Sequence, residues 1–288
     1  EIINEIKNWM KKYNVSAYDE KIHQGTVRHV YLRCSKNSSE IMVCVVINNK
    51  NFPYEQELLK SLTSKFENIK SIIVNYNTKD TNVILGEQFK NIYGKDFITD
   101  TLCDFKFNIS PESFYQVNHD QTERLYSLAK ETAELEKGQN LIDLYCGIGT
   151  IGIVMAEKVE NVLGIEIIDR AVQNAFQNAK INNIKNIDFV CADSSEIVSK
   201  LSDKNSKNAT IIIDPPRKGC SDKVIDDLVK ISPEKIVYIS CDPATLAKNL
   251  KKLCELDKNY KIKSIHPIDL FPRTKHVETV VLISRIDK

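Results

Sequence analysis

The residue with the clearest capacity for covalent chemistry is Cys241, one of eight cysteines in a 288-residue sequence. It directly follows an apolar run that ends at Ser240, and Asp242-Pro243 then supplies the N-cap acid and first-turn proline of a helix. The positive end of a helix favours thiolate over thiol, whereas Asp242 opposes that effect. This position favours a nucleophile over a structural core cysteine, and it leaves the ionisation of the thiol open.

Two carboxylates also stand at the ends of apolar runs. Glu278 precedes residues 279–284 and suits either a solvated strand end or a general base in a partly dry pocket. Asp214 follows residues 209–213 and is succeeded by Pro215-Pro216, which remove backbone donors and fix the chain. We interpret Asp214 as a ligand contact in preference to part of a rigid turn without a ligand.

A glycine-rich stretch, residues 140–169, predicts a nucleoside site. A short apolar run is followed by Gly147, Gly149 and Gly152, a helical pattern and a second apolar run that ends at Glu166. Glycines let the backbone approach a ligand closely, and a carboxylate at the end of the next strand accepts hydrogen bonds from ribose hydroxyls. On this stretch alone, NAD and S-adenosylmethionine remain alternatives.

Other polar candidates are weaker. Asp193, at a third strand end, could bind an adenine amino group or cap the following helix, and the sequence does not choose between them. Phe114 and Gln116 could stack on and hydrogen-bond a ligand, but their local sequence favours an ordinary turn. Arg28-His29 is better interpreted as a solvated strand edge than as a catalytic pair.

These residues require an α/β scaffold. From residue 140 onward apolar strands and helices alternate, which predicts a doubly wound, mostly parallel sheet with ligands at the carboxyl ends of its strands. Residues 1–108 instead predict a smaller α+β domain with an antiparallel sheet. The predicted domains are therefore 1–108 and 109–288.

Composition narrows the function classes. With 42% hydrophobic and 27% charged residues and a net charge of +1, the chain is typical of a soluble globular protein without a global basic field. No apolar run reaches membrane-spanning length, and nothing resembles a signal peptide. The cysteines form no C-x-x-C pair, so we expect reduced thiols, no metal site and a cytoplasmic location. We also expect a monomer.

Six ordered motifs resemble those of the RNA uracil-C5 methyltransferases, which make 5-methyluridine in tRNA and ribosomal RNA. They cover the chain from about residue 110 to its end. The motifs are 114–118 (FYQVN), 143–150 (DLYCGIGT), 164–166 (GIE), 214–219 (DPPRKG), 240–246 (SCDPATL) and 271–278 (FPRTKHVE). Together they are far more specific than any one of them. Residues 1–108 resemble the central RNA-binding region of that family, with weaker motif support.

The resemblance implies a Rossmann-like class I methyltransferase domain and a role for each matching residue. Cys241 would be the nucleophile and Glu278 the base that removes the C5 proton. The residues expected to bind S-adenosylmethionine are Gln116, Tyr145, Gly147, Thr150, Glu166, Asp193 and Asp214, and those expected to contact RNA are Phe114, Arg217, Arg273 and His276.

Two features common in that family are absent from this sequence, namely an N-terminal oligonucleotide-binding module and a four-cysteine iron–sulfur motif. The chain begins at Glu1, which indicates a piece of a longer protein, and an iron–sulfur cluster would require such a longer chain. Ribosomal RNA is the favoured substrate because the strand around Arg28-His29 looks closer to that branch, with tRNA as the alternative.

Three rival functions fit the sequence less well. An adenine-N6 type methyltransferase would want an aromatic residue after Asp-Pro-Pro, where this chain has Arg217, and it would give Cys241 no role. A nicotinamide oxidoreductase would use the glycine turn. A catalytically silent RNA-binding module is disfavoured by the presence of both Cys241 and Glu278.

Overall fold

A computed structural model describes residues 1–197 and 209–286 of the chain. The chain divides into two compact units. One comprises Glu1–Thr101 and Asn108–Ser113, and the other comprises Leu102–Phe107 and Phe114–Lys288. The predicted boundary at 108/109 lies in the stretch where the two units alternate along the chain.

The first unit contains two helices and a four-stranded sheet in the order β1-β2-β3-β4. Its elements are α1 (Ile2–Lys12), β1 (Val27–Cys34), β2 (Ile41–Ile47), α2 (Glu55–Lys65), β3 (Ile69–Tyr76) and β4 (Gln88–Gly94). The prediction of an antiparallel sheet was wrong at one pair, because β2 and β3 run parallel. Helix α2 connects these two strands, and parallel neighbours need such a crossover.

The uniform apolar character of β2 explains its central place in the sheet. Residues 42–47 are all fully buried, so both faces of the strand are covered. On one face Val43, Val45 and Ile47 share a core with Trp9 of α1 and Leu58 of α2. The helical spacing of apolar residues in α1 predicted from the sequence therefore corresponds to a buried stripe.

A two-stranded hairpin follows, with β5 (Ile98–Leu102) and β6 (Phe105–Ile109). Its turn is Cys103-Asp104, and both residues have positive φ, at 50° and 68°. Two successive residues with positive φ are the hallmark of a type I′ turn, whose twist matches that of the flanking strands.

The second unit alternates helices and strands. Its elements are α3 (His119–Ala133), β7 (Asn140–Leu144), α4 (Thr150–Met155), a 3₁₀ turn (Ala156–Lys158), β8 (Asn161–Glu166), α5 (Asp169–Ile181), β9 (Ile187–Cys191), α6 (Ser194–Ile197), β10 (Ala209–Ile213), α7 (Asp222–Ile231), β11 (Lys235–Ser240), α8 (Pro243–Leu256), β12 (Tyr260–Ile268) and β13 (Glu278–Arg285). Beyond Ile197, the predicted helix 194–202 lies outside the described residues.

The seven strands of this unit form one sheet in the order β12-β13-β11-β10-β7-β8-β9. Strands β11, β10, β7, β8 and β9 are parallel, while β13 is antiparallel to both of its neighbours. The predicted doubly wound, mostly parallel sheet is confirmed. Strand order reverses beside β7, which has β8 on one side and β10 on the other, and ligands bind at such a switch point.

Helices pack against the sheet through apolar side chains. One core cluster joins Ile142 of β7 and Ile211 of β10 with Leu228 of α7 and Leu250 of α8. Within residues 1–197 and 209–286, no helix combines the length and apolar character needed to cross a membrane.

Candidate active site

Strand register brings the two predicted catalytic residues, Cys241 and Glu278, and the predicted cofactor ligand Asp214 to one end of the sheet. Ile213 of β10 pairs with Leu144 of β7 and with Tyr238 of β11, so Asp214 lies just past the carboxyl end of its strand. Ser240 of β11 pairs with Thr279 of antiparallel β13. Cys241, which leaves β11, and Glu278, which begins β13, therefore lie at the same edge as Asp214.

The glycine turn between β7 and α4 forms the neighbouring part of this edge. Gly149 has φ of 82°, and a Cβ atom there would lie 2.9 Å from the Phe189 ring, so only glycine fits. Gly147 also has positive φ, but a Cβ atom there would meet nothing within 4 Å. The turn is thus packed on its sheet side and open at Gly147.

Glu166 lies against this turn, where the sequence predicted a carboxylate. Its two carboxylate oxygens accept hydrogen bonds from the backbone N–H groups of Gly147, at 3.1 Å, and Ile168, at 2.9 Å. The side chain remains half-buried. A carboxylate oxygen has more than one acceptor site, so Glu166 keeps capacity for a ligand hydroxyl.

A pocket beside the open turn contains six of the predicted site residues. Its lining includes Phe114, Gln116, Tyr145, Gly147, Thr150 and Asp214. Leu102, Tyr115, Tyr126 and Cys146 are among the residues that complete it. Residues far apart in the sequence, from the 114–118 segment, the glycine turn and the end of β10, therefore share one cavity.

Hydrogen bonds fix two of these pocket residues. The hydroxyl of Tyr126 lies 2.8 Å from that of Thr150. Tyr145 has a left-handed φ of 67°, and its hydroxyl is within hydrogen-bonding reach of Cys220 and Ser194. Such strain in a bulky residue is costly and is concentrated at functional sites.

Asp193 lies apart from the pocket lining. It is exposed, and its carboxylate accepts a hydrogen bond from the backbone N–H of Ser195 at 2.7 Å. The side chain and backbone of Ser195 hold the pKa of Asp193 below its usual range. The observed contact is the helix-capping one of the two alternatives for this residue, and a role in cofactor binding stays a prediction.

Cys241 lies in a mixed electrostatic environment. Burial raises the pKa of its thiol, Glu278 raises it further, and Arg217 acts in the opposite direction. Asp242 caps helix α8 by accepting a hydrogen bond from the backbone N–H of Thr245 at 2.9 Å. Burial and Glu278 therefore act against the thiolate form of Cys241, and Arg217 acts in its favour.

The two acids near Cys241 share a raised pKa although their exposure differs, because Asp214 is only half-buried. Glu278 is 1% exposed, and burial, with a smaller contribution from Asp214, raises its pKa to about 8. Burial raises the pKa of Asp214 to about 7. A strongly raised pKa at the edge of a parallel sheet is a typical property of a functional carboxylate.

The remaining predicted RNA contacts are surface residues. Phe114 is 71% exposed although it also lines the pocket. Arg217 and Arg273 are exposed, and His276 packs its ring edge-on to Phe271 at 6.3 Å between centroids. Arg273 has a left-handed φ of 65° in the turn before β13.

Sequence reasoning missed Asp143, a fully buried acid in the middle of β7. Its Oδ2 accepts a hydrogen bond from the Gly152 N–H at 2.9 Å, and its Oδ1 has no partner among the residues that the structure describes. Burial raises the pKa of Asp143 to about 8. A charged residue inside the apolar run NLIDL was the available signal.

The edge therefore combines a pocket beside the glycine turn with an acid–thiol cluster. Open space at Gly147 and a hydrogen-bonded carboxylate at Glu166 suit a ribose-containing ligand. At the same edge, Cys241 offers a side chain that could act as a nucleophile and Glu278 one that could accept a proton.

The tRNA (uracil-5-)-methyltransferase family model matches residues 5–286 of this chain. The chain belongs to this family. It is 44% identical over 283 residues to an uncharacterized RNA methyltransferase of Clostridium tetani, covering 98% of this chain and 61% of that protein. A Staphylococcus aureus relative of the same description is 41% identical over 284 residues, with 99% and 62% covered. The chain thus spans about three fifths of the length of these relatives.

Solved structures agree with the family assignment. The Pyrococcus abyssi tRNA (uracil-54, C5)-methyltransferase, in complex with S-adenosyl-L-homocysteine, superposes with a TM-score of 0.80 and 32% identity, covering 98% of this chain and 66% of that one. Methanocaldococcus jannaschii tRNA m1G37 methyltransferase gives a TM-score of 0.54 at 13% identity, with 97% and 77% covered. This second likeness concerns the fold alone.

Proposed function

We propose that this protein transfers a methyl group from S-adenosylmethionine to C5 of a uridine in RNA. The observation that carries the proposal is the shared position of Cys241, Asp214 and Glu278 at the sheet edge beside the glycine turn. An amino-group methyltransferase or a nicotinamide oxidoreductase would use the turn but not the thiol–acid pair. We expect the protein to act as a monomer in the cytoplasm.

The residues around the glycine turn fit the cofactor. Glu166 would accept hydrogen bonds from the ribose hydroxyls, and Gly147 leaves the space that its approach requires. Gln116, Tyr145, Thr150 and Asp214 line the adjoining pocket, and Asp193 stands at the end of the next strand. When bound, S-adenosylmethionine supplies a methyl group on a positively charged sulfur.

Cys241 would activate the uracil ring, because C5 by itself is a poor nucleophile. Addition of the Cys241 thiolate to C6 forms an S–C6 bond and moves the ring electrons onto C5 and the O4 oxygen, as an enolate. Arg217 favours the thiolate form, whereas burial and Glu278 oppose it. Covalent attachment also holds the base in place for methylation.

Glu278 would complete the reaction by removing the proton from C5 of the methylated adduct. The electron pair of that C–H bond restores the C5=C6 double bond, and the thiolate of Cys241 leaves. Because the site is dry, the neutral acid formed at Glu278 is the favoured form, as the raised pKa of about 8 indicates. A buried carboxylate is therefore a strong proton acceptor at this step.

The surface around this edge suits an extruded nucleotide. Phe114 presents an exposed ring to stack on a base, and Arg217, Arg273 and His276 offer groups for phosphates. A uridine must leave its stack to reach Cys241, which costs a few kcal/mol, and less in an RNA loop. The strand around Arg28 favours ribosomal RNA, and the substrate of the Pyrococcus relative makes tRNA the second candidate.

Replacement of Cys241 tests the proposal. Cys241→Ala should abolish transfer of labelled methyl groups to RNA while S-adenosylhomocysteine still binds in a calorimetric titration. Separate reactions with 23S ribosomal RNA and tRNA transcripts would identify the RNA class. Mapping of the product by mass spectrometry should place the added methyl group on a uridine.

Cys254→Ala is a matched control, because Cys254 is a partly buried cysteine in the helix that begins just after Cys241. This variant should keep the wild-type rate. If Cys241→Ala turned over normally, Cys241 could not be the nucleophile and the proposal would fail.

A further inference from the structure

The loop that follows β10 is held at two separate points. Its first half begins at Asp214, whose backbone N–H donates to the Leu144 carbonyl of β7 at 3.4 Å. Its second half reverses in a turn in which the Gly219 N–H donates to the Pro216 carbonyl at 2.8 Å. Arg217 lies between these two points and is exposed. The contacts that fix the second half of the loop therefore determine the position of Arg217.

The side chain of Asn249, in helix α8, fixes that second half. It is 5% exposed. Its Oδ1 accepts a hydrogen bond from the backbone N–H of Cys220 at 3.1 Å and its Nδ2 donates to the carbonyl of the same residue at 3.2 Å. The hydroxyl of Tyr238 donates to Oδ1 at 2.8 Å and thereby orients the amide. Both backbone groups of Cys220 are thus paired with Asn249, and the Cys220 N–H also lies 3.3 Å from the Tyr238 hydroxyl.

Gly219 makes this contact tight. It has φ of 72°, and a Cβ atom there would lie 2.4 Å from Asn249 Oδ1 and 2.5 Å from the Thr245 methyl group. The loop backbone therefore lies directly on helix α8 with no space for a side chain. Close packing and hydrogen bonding together hold the second half of the loop in one position.

Helix α8 is also the element that begins just after Cys241. Pro243 is its first residue and Asp242 is its N-cap. The bonds from Asn249 therefore connect the helix that follows the thiol with the loop that carries Arg217. Of the groups that face the thiol, Glu278 belongs to β13, and Asp214 is tied to β7, so neither depends on Asn249.

We propose that Asn249 is a positioning residue for the Cys241 nucleophile, which it serves by holding loop 214–220, and with it Arg217, at the end of the neighbouring strands β10 and β11 where Cys241 also lies. This inference rests on the proposed role of Cys241 and adds a residue that touches neither reactant. Loss of the Asn249 contacts should release Arg217 and leave Asp214 in place. Glu278, which raises the pKa of the thiol, would then act without the opposing effect of Arg217.

The reactivity of the thiol itself tests this proposal, without RNA or cofactor. Iodoacetamide labelling of Cys241 is followed across pH by peptide mass spectrometry, with Cys34 in the same sample as an internal reference. In Asn249→Leu the apparent pKa of Cys241 should rise by about half to one unit, and labelling near neutral pH should slow by about 3- to 10-fold. Cys34 should not change.

Three further variants separate positioning from general damage. Asn186→Leu removes hydrogen bonds to three carbonyls elsewhere in the same unit and should leave Cys241 labelling unchanged. Tyr238→Phe keeps both bonds between Asn249 and Cys220 and should have a small effect. In an Arg217→Ala background, Asn249→Leu should have no additional effect on the pKa of Cys241.

Asn249→Ala is the second choice if the leucine variant fails to fold, because a small side chain leaves room for water at the lost contacts. A wild-type pH profile in a folded Asn249 variant would overturn the proposal. An equal additional shift in the Arg217→Ala background would also overturn it, because the effect would not pass through Arg217. Neither result depends on whether the protein methylates RNA.

Discussion

Acidic residues lie in different environments on the two sides of the carboxyl edge of the sheet. On the glycine-turn side, at the ends of β8 and β9, Glu166 accepts backbone hydrogen bonds and Asp193 is exposed with a lowered pKa. On the other side, Glu278 is buried, Asp214 is half-buried, and the pKa values of both are raised. Each side carries one aspartate and one glutamate, and the surroundings of these side chains differ.

This difference separates two tasks at one edge. A carboxylate that keeps its charge is suited to hydrogen-bond the hydroxyls of a ligand. A carboxyl group whose neutral form is favoured accepts a proton readily and holds it. We propose that cofactor binding belongs to the β7–β9 side together with Asp214, and that bond making and breaking belong to Cys241 and Glu278 on the β10–β13 side.

The largest expected effect is on the pH dependence of stability. The folded-state pKa of Glu278 is raised from 4.5 to about 8, so the folded protein binds more protons than the unfolded chain between these values. Wild-type stability therefore falls as pH rises through this window and levels off above it. Glu278→Gln cannot titrate and should be more stable at pH 8 by about 2–4 kcal/mol.

Thermal unfolding from pH 5 to 8.5 measures this difference, which should vanish toward pH 4.5. Asp193→Asn is the matched control, because its folded-state pKa is lowered. The stability that the Asp193 carboxylate contributes is present above its unfolded pKa and is lost as pH falls, so this variant should be no more stable than wild type at pH 8. If both variants behaved alike, the contrast between the two sides would be lost.

A second prediction concerns Glu166, at the end of β8. Glu166→Ala removes the acceptor expected for the ribose hydroxyls and should weaken S-adenosylhomocysteine binding by about 1–3 kcal/mol, measured by calorimetry. RNA affinity measured without cofactor should hardly change. An equal loss of both affinities would mean that Glu166 serves the fold and not the ligand.

The smallest expected effect is on the exposed rim. Each phosphate neutralised in single-stranded RNA contributes a slope of about −0.7 to the dependence of log affinity on log salt concentration. Arg273→Ala should make that slope shallower by somewhat less than one unit and leave cofactor affinity unchanged. RNA binding that shows no salt dependence would place recognition in apolar or shape contacts.

Local sequence predicted the parts of the site that depend on strand ends. The glycine turn with Glu166, and Asp214, Cys241 and Glu278 at the ends of apolar runs, could be located because parallel strands bring their carboxyl ends to one edge. The doubly wound sheet followed from the alternation of strands and helices. Membership of the uracil-5 methyltransferase family followed from six ordered motifs and is confirmed by the family match.

Tertiary contacts determined what the sequence could not predict. The ionisation of Cys241 depends on burial and on Glu278 and Arg217, which come from other parts of the chain. The parallel pairing of β2 with β3 depends on how helix α2 packs, which a run of apolar residues does not specify. Asn249 resembles any polar residue of an amphipathic helix until the loop at Gly219 is seen to lie against it.

The central claim is that Cys241 and Glu278 act in succession on one uracil, and a trapped intermediate tests it most directly. Glu278→Gln is incubated with S-adenosylmethionine and a uridine-containing RNA substrate, and the product is analysed by denaturing electrophoresis and intact mass spectrometry. We predict a protein–RNA adduct that carries one added methyl group and is attached through Cys241. Free methylated RNA at the wild-type rate, or no adduct although both ligands bind, would contradict this account.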